Sequence, residues 1–148
     1  HLNVTIPYFK ITKSKTNAGL RNVPVHPYIY PLLEQMVDQS TNKFLFSNLK
    51  MTVHQERSSA ISKRFGRLKT ALGYEANQVF HSFRHTATTM FEQAGVGENI
   101  VMDIVGHEKP NLTFGHYSEG TSMEQRYEAI CESINFSFHN ISISELIG

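Results

Sequence analysis

The sequence has a single cysteine, Cys131, and no tryptophan. One thiol excludes an internal disulfide framework and a cysteine-built zinc site. No apolar run approaches the roughly 18 residues a membrane-spanning helix needs, and no signal-peptide pattern opens the chain. Charge is sparse too. Charged residues make up 18%, against a usual share of about 25%, so little of the chain reads as disordered. Fourteen Lys and Arg stand against thirteen Asp and Glu, a formal net charge of +1. Any basic surface for a polyanion must therefore be local. There is no internal repeat and no low-complexity tract. The plain expectation is a soluble cytoplasmic protein with no membrane segment. What remains is 148 residues, 40% of them hydrophobic, enough for one globular domain with a real core.

One stretch organises the rest, His81 to Tyr117. Written as a helix, it puts His81, Arg84, His85 and Thr88 on one side, because positions three and four apart share a face. Phe83, Ala87, Met90, Phe91 and Ala94 fall on the other, spaced as a core-packed helix requires. Gly95 and Gly97 end this helix and begin the next. There Ile100, Val101, Ile104 and Val105 form one apolar face, and Gly106 stands where a left-handed residue closes a helix. His107 thus gains a defined exit direction. Pro110 stops any continuation, and Asn111 to Tyr117 reads as a short helical turn.

Before this stretch, Leu2, Val4 and Ile6, then Phe9 and Ile11, alternate as a strand. Asn17-Ala18-Gly19 signals a turn, and Val23 and Val25 alternate on the return, which makes a hairpin. Lys13 and Lys15 fall at the end of its first strand and Arg21 on its second. The chain reads as starting inside a sheet. Pro27 to Gln39 is predicted helical, with Ile29, Leu32, Leu33 and Met36 on one face, and Lys43 to Asn48 is predicted to be an extended connector. Thr52-x-x-Gln55 matches a capping box, so a helix is expected from there to Leu72, stopped by Gly73, with Ile61, Phe65, Leu68 and Leu72 buried. Lys63, Arg64 and Arg67 share about one-third of its circumference. Three such cations suit phosphates, and equally an ordinary solvated face. Near the end, Thr121-x-x-Glu124 matches another capping box. Its helix carries Met123, Tyr127, Ile130, Cys131 and Ile134 as a core face, which makes Cys131 a small buried hydrophobe rather than a reactive thiol. Phe136, Phe138, Ile141, Ile143 and Ile147 make the tail too apolar for a solvated end; it should pack on this domain or on a neighbouring molecule.

Singly, none of these polar residues is persuasive. The ordered set is: Lys15 in the hairpin, His81-x-x-Arg84 opening a helix, Gly106-His107 closing the next, and Tyr117 soon after. The segments HSFRHT, VGHE, FGHYSEG and SKTNAGLRNVP resemble, in order and approximate spacing, the C-terminal catalytic domain of the tyrosine recombinases, the phage integrase family. The resemblance covers nearly the whole chain. It implies a mainly α fold with a small N-terminal β-hairpin: residues 1–26 the lysine hairpin, 27–135 the helical core, 136–148 the tail. It implies site-specific cutting and rejoining of double-stranded DNA through a 3′-phosphotyrosyl link, by a homotetramer on DNA, in the bacterial cytoplasm and on the nucleoid. Tyr117 would be the nucleophile. Arg84, His81 and His107 would serve the phosphate, and Lys15 would protonate the leaving oxygen. Lys13, Lys63, Arg64 and Arg67 would contact DNA. No metal or other cofactor is implied, because the cations take that role. His85 matches a histidine that the family uses for packing or positioning, and His116 has no assigned part.

The family uses two arginines, the first upstream of the lysine hairpin, and no arginine precedes Lys15 here. The chain is therefore expected to be the later part of a catalytic domain, binding DNA weakly and cleaving poorly when alone. Two rival readings stay open. His81 and His85, four apart, could chelate zinc with His107 as a third ligand, although Ser82 stands where the zincin motif has its glutamate and Arg84 puts a cation beside the ion. A non-catalytic DNA-binding module on a degenerate integrase fold is the other.

Overall fold

The computed structural model describes residues 5–47, 49, 51–52, 57–108 and 120–134. In order these form β1 (Tyr8–Ile11), a 3-10 turn (Asn17–Gly19), β2 (Arg21–Pro24), α1 (Tyr30–Asp38), α2 (Ser58–Ala71), α3 (Ser82–Gln93), α4 (Glu98–Val105) and α5 (Met123–Ser133). The described chain is thus mainly helical with one small antiparallel sheet, the fold class the family resemblance implies. Among the described residues, no helix is long and apolar enough to cross a membrane. Tyr117, His116, Gln55 and the apolar tail beyond Ile134 lie outside the described residues. The fold divides into two units, His1–Leu33 with Thr86–Gly148, and Glu34–His85.

In the first unit β1 and β2 pair antiparallel, Tyr8 opposite Pro24 and Ile11 opposite Arg21. Lys13 and Lys15 do not extend the strand; they lie in the connecting loop, both exposed. The reason is local. Gly19 N–H donates to Thr16 O and Leu20 N–H to Asn17 O, which commits this stretch to a 3-10 turn and ends the ladder. The core gathers Phe91, Val101, Ile104, Val105, Ala129 and Ile130, with Val23, Ala87, Val96, Ile100 and Ile134 packed around them. Phe91 is 1% exposed. An eight-residue helix such as α4 is marginal alone. Its three buried side chains, worth about 1.5–3 kcal/mol each, are what hold it.

The cap of α5 sits one residue later than the sequence pattern suggests. Ser122, not Thr121, closes the capping box, with Gln125 as its partner. Thr121 is otherwise engaged: its N–H and hydroxyl both donate to Asp103 Oδ2, at 2.7 and 2.9 Å. The buried face of α5 centres on Ala129, Ile130 and Ser133, with Met123, Tyr127, Cys131 and Ile134 half-buried at its edges. Burial pushes the Cys131 thiol pKa up, only partly offset by its bond with Tyr127, which agrees with an unreactive cysteine.

α1 begins at Tyr30 rather than Pro27, because Tyr28 N–H donates to His26 Nδ1 at 3.0 Å and Ile29 N–H to His26 O, forming a turn first. Burial holds the His26 pKa below the ordinary histidine value, with a hydrogen bond to the Ile134 backbone partly opposing. A protonated Nδ1 also loses its acceptor role towards Tyr28. A histidine whose folded pKa is lowered favours the native state in its neutral form. Its contribution is therefore complete above the unfolded value of about 6.5 and is lost as pH falls through the folded value. Urea midpoints measured at about pH 7.5 and about pH 5 should fall less in His26→Gln than in the wild type. Equal falls would show that His26 does not titrate this way.

In the second unit the chain after α1 is curled, not extended. The Ser40 hydroxyl reaches the Asn42 and Phe44 carbonyls at 2.6 and 2.8 Å, and Phe44 N–H donates to Asn42 Oδ1. α2 starts at Ser58, six residues past Thr52, so that motif does not open it. Arg57, at its N-cap, stacks its guanidinium 3.7 Å from the Phe44 ring centroid. The expected buried face holds only in part. Ile61 and Phe65 are half-buried, but Leu68 is 57% and Leu72 64% exposed. Phe65 packs with Phe80 and Phe83, ring centroids 5.4 to 5.7 Å apart. Phe83 thus joins an aromatic trio and is itself exposed, rather than entering a core with Ala87, Met90 and Phe91. Ala94 is exposed as well. It falls after α3 has ended at Gln93, in the turn to the left-handed Gly95. Gly73, with φ of +78°, ends α2 as its position predicts, and Lys69 Nζ donates to the Glu75 and Ala76 carbonyls beyond it.

Candidate functional site

The first unit carries Lys15 and His107. α4 ends in the left-handed region at Gly106, φ 75° and ψ 48°, the conformation glycine adopts without penalty. Gly106 N–H and His107 N–H both donate to Met102 O, at 2.7 and 3.1 Å, so the exit path of His107 is fixed by two backbone bonds. His107 itself is exposed. Pressed against this corner is Arg21, from β2. Its Nε donates to Ile104 O at 2.8 Å and its Nη1 to Gly19 O at 2.9 Å. A Cβ on Gly106 would lie 2.5 Å from Arg21 Nη1 and 3.1 Å from Ala18 O. Gly106 is required twice, by its φ and by its neighbour. Gly19 is buried, and a Cβ there would overlap the Ser14 side chain, which presses the lysine loop closely onto its own 3-10 turn.

α4 also holds the chain that returns after residue 119. Asp103 accepts from Thr121 twice, and a Cβ on Gly120, φ +86°, would meet the same carboxylate at 3.2 Å. Thr121 follows Tyr117 by four positions. Hydrogen bonds to a charged acceptor contribute about 1.5–3 kcal/mol, so Asp103→Ala is expected to lower unfolding free energy by about 2 kcal/mol. A urea midpoint unchanged in that variant would remove the anchor from the account. Arg126 ties the same region to the sheet, its Nη1 donating to Asn22 O at 2.7 Å.

The second unit carries His81, Arg84, His85 and the α2 cations. His81 is the residue before α3, and Arg84 lies in its first turn. The start of α3 is locked reciprocally: Val79 N–H donates to Ser82 Oγ at 3.0 Å and Ser82 N–H to Val79 O at 2.8 Å. The first turn contains no acidic residue. It adds a guanidinium to the positive end of a helix, an arrangement that favours an anion rather than a cation. Arg84 is half-buried, whereas His81 and His85 are exposed, their rings edge-to-face at 5.3 Å. Among the described residues no three His, Cys, Asp or Glu gather as ion ligands do. Lys63, Arg64 and Arg67 are all exposed, and Lys63 and Arg67 line a shallow groove on α2 with Gly66, Thr70 and Ala71. Sequence reasoning missed Arg21 and Asp103, whose contacts span 83 and 18 positions.

No solved structure matches this chain. Two curated relatives do, each called "Putative prophage phiRv2 integrase", from the CDC 1551 / Oshkosh and H37Rv strains of Mycobacterium tuberculosis. Each is 25% identical over 122 residues, covering 78% of this chain and 32% of the relative. The chain therefore spans about a third of the length of the curated relatives it matches. The model of the phage integrase family matches residues 1–123, a span that takes in the lysine hairpin, both histidine segments and Tyr117: this chain belongs to the phage integrase family.

Proposed function

We propose that the chain supplies the later part of the catalytic domain of a tyrosine recombinase, which cuts and rejoins double-stranded DNA at specific sites. The observation that carries this reading is that Lys15, His81, Arg84, His107 and Tyr117 all fall, in that order, inside the span that matches the family. A phosphodiester is already anionic, and its transition state places more charge on the non-bridging oxygens. Preorganised cationic donors stabilise that charge. Arg84 suits the task, since its planar fork binds two phosphate oxygens and keeps its proton. The Tyr117 oxygen bonds to phosphorus and the bond to the 5′ oxygen breaks. A site imidazole, His81 or His107, takes the phenol proton. Lys15 gives a proton to the departing 5′ oxygen. The 3′-phosphotyrosyl product retains the ester bond for rejoining to another strand.

Lys13, Lys63, Arg64 and Arg67 would bind the DNA backbone, and four copies of the full-length protein would assemble on DNA in the bacterial cytoplasm. The test uses the full-length protein with nicked duplexes tiled across the DNA that flanks its gene. A nick beside the cleavage point lets the short 5′-hydroxyl strand diffuse away and traps the adduct. Peptide mapping should find the 3′-phosphate on Tyr117. DNA bound without any adduct would favour a non-catalytic DNA-binding module, and an adduct on another residue would overturn the nucleophile.

A further inference from the structure

Arg21 stands outside the set of groups proposed to act on the phosphate, yet it joins the chain segments that carry two of them. Its guanidinium spans from Gly19 O, four residues after Lys15, to Ile104 O, three residues before His107. Both acceptors are backbone carbonyls, so the bridge links the paths of two chain segments rather than two mobile side chains. Ile104 O lies in the last turn of α4, where carbonyls lack helical partners and a cation is favoured. A Cβ on Gly106 would meet both Arg21 and the Ala18 carbonyl, so the loop passes close to this corner. Lys15 itself is exposed and sits in a loop. Without a fixed base it would sample many positions, and proton transfer needs one within hydrogen-bond reach of the leaving oxygen.

We propose that Arg21 is a positioning residue for the proton donor: it registers the Lys15 loop against the helix end that launches His107. The inference rests on the proposed recombinase reading and on Lys15 as the acid in it. The experiment compares two nicked duplexes with the full-length protein. One has the ordinary 5′ oxygen at the scissile bond; the other has sulfur in that position. A thiol has a pKa near ~8.5, so sulfur departs as thiolate without needing a proton. In single-turnover cleavage, Arg21→Ala should slow the oxygen substrate by about 100-fold, the scale of a lost general acid. The sulfur substrate should slow by less than about fivefold.

Arg21→Lys keeps the charge but lacks the two-pronged fork, and it should show the same split; it also serves should the alanine variant fail to fold. Equal slowing of both substrates in a folded variant would make Arg21 a purely structural residue. Full activity on the oxygen substrate would remove it from the mechanism altogether. A wild-type protein that forms no adduct with either duplex would overturn the recombinase reading, and this inference with it. Wild-type adducts with no substrate-dependent split would overturn this inference alone.

Discussion

Tyr117→Phe in the full-length protein is expected to abolish the covalent protein–DNA adduct while leaving duplex binding within about twofold, since the loss of one hydroxyl leaves the cationic groups that bind a DNA backbone in place. The substitution removes one oxygen. No other group in the ordered set can form the same stable ester with a 3′ phosphate, because lysine and histidine would give acid-labile phosphoramidates. Catalysis should therefore fall to the background of the assay rather than by a measurable factor, the pattern seen when a covalent nucleophile is lost. The decisive comparison is denaturing gel mobility of trapped complexes, wild type beside variant. A surviving adduct would move the nucleophile elsewhere and dissolve the proposed role of the segment around Tyr117.

Arg84→Ala carries the second-largest effect. Removing one preorganised donor to a developing oxyanion slows the chemical step by about 10²–10³-fold, and a bidentate guanidinium supplies two. Strand cleavage should therefore drop by about 1,000-fold, or about 4 kcal/mol in activation free energy. Affinity for intact duplex should change far less, because duplex affinity is generally spread over many backbone contacts. Arg84→Lys should recover only part of the rate, a point charge lacking the fork that matches phosphate. Arg84 is half-buried beside the start of α3, so a melting measurement must accompany the kinetics. A folded Arg84→Ala protein that cleaves within about threefold of wild type would remove the phosphate clamp from the mechanism.

The elements legible in the sequence were those whose cause is local. α4 shows a 3.6-residue apolar period, and Gly106 ends it in the one conformation glycine favours; both follow from neighbours within one turn. The hairpin was legible for the same reason. The misreadings arose where a distant partner decided. Thr121 carries a proper capping signature, but Asp103, 18 positions away, takes its donors, and Ser122 caps instead. Thr52 matched a helix start, but α2 begins six residues later, at Ser58, just after an Arg57 that stacks on Phe44. Leu68 and Leu72 keep the period of a buried stripe, yet period states which residues share a face, not whether anything covers that face. Arg21 reads rightly as part of the return strand, but its bond to Ile104 O crosses 83 positions, and no window of sequence contains both ends.

The Asp103–Thr121 bond has a further consequence for timing. The chain leaves α4 at Gly106 and is fastened to the same helix again at Thr121, so the loop between is closed when the first unit folds. The entropy of that closure, which grows only with the logarithm of loop length, is met by folding itself. Whatever path the intervening residues take, four peptide units reach no further than about 14 Å. A tether that short corresponds to an effective concentration of about millimolar or above. In the proposed reaction, the entropy of bringing Tyr117 near α4 would thus be met by folding rather than by DNA binding.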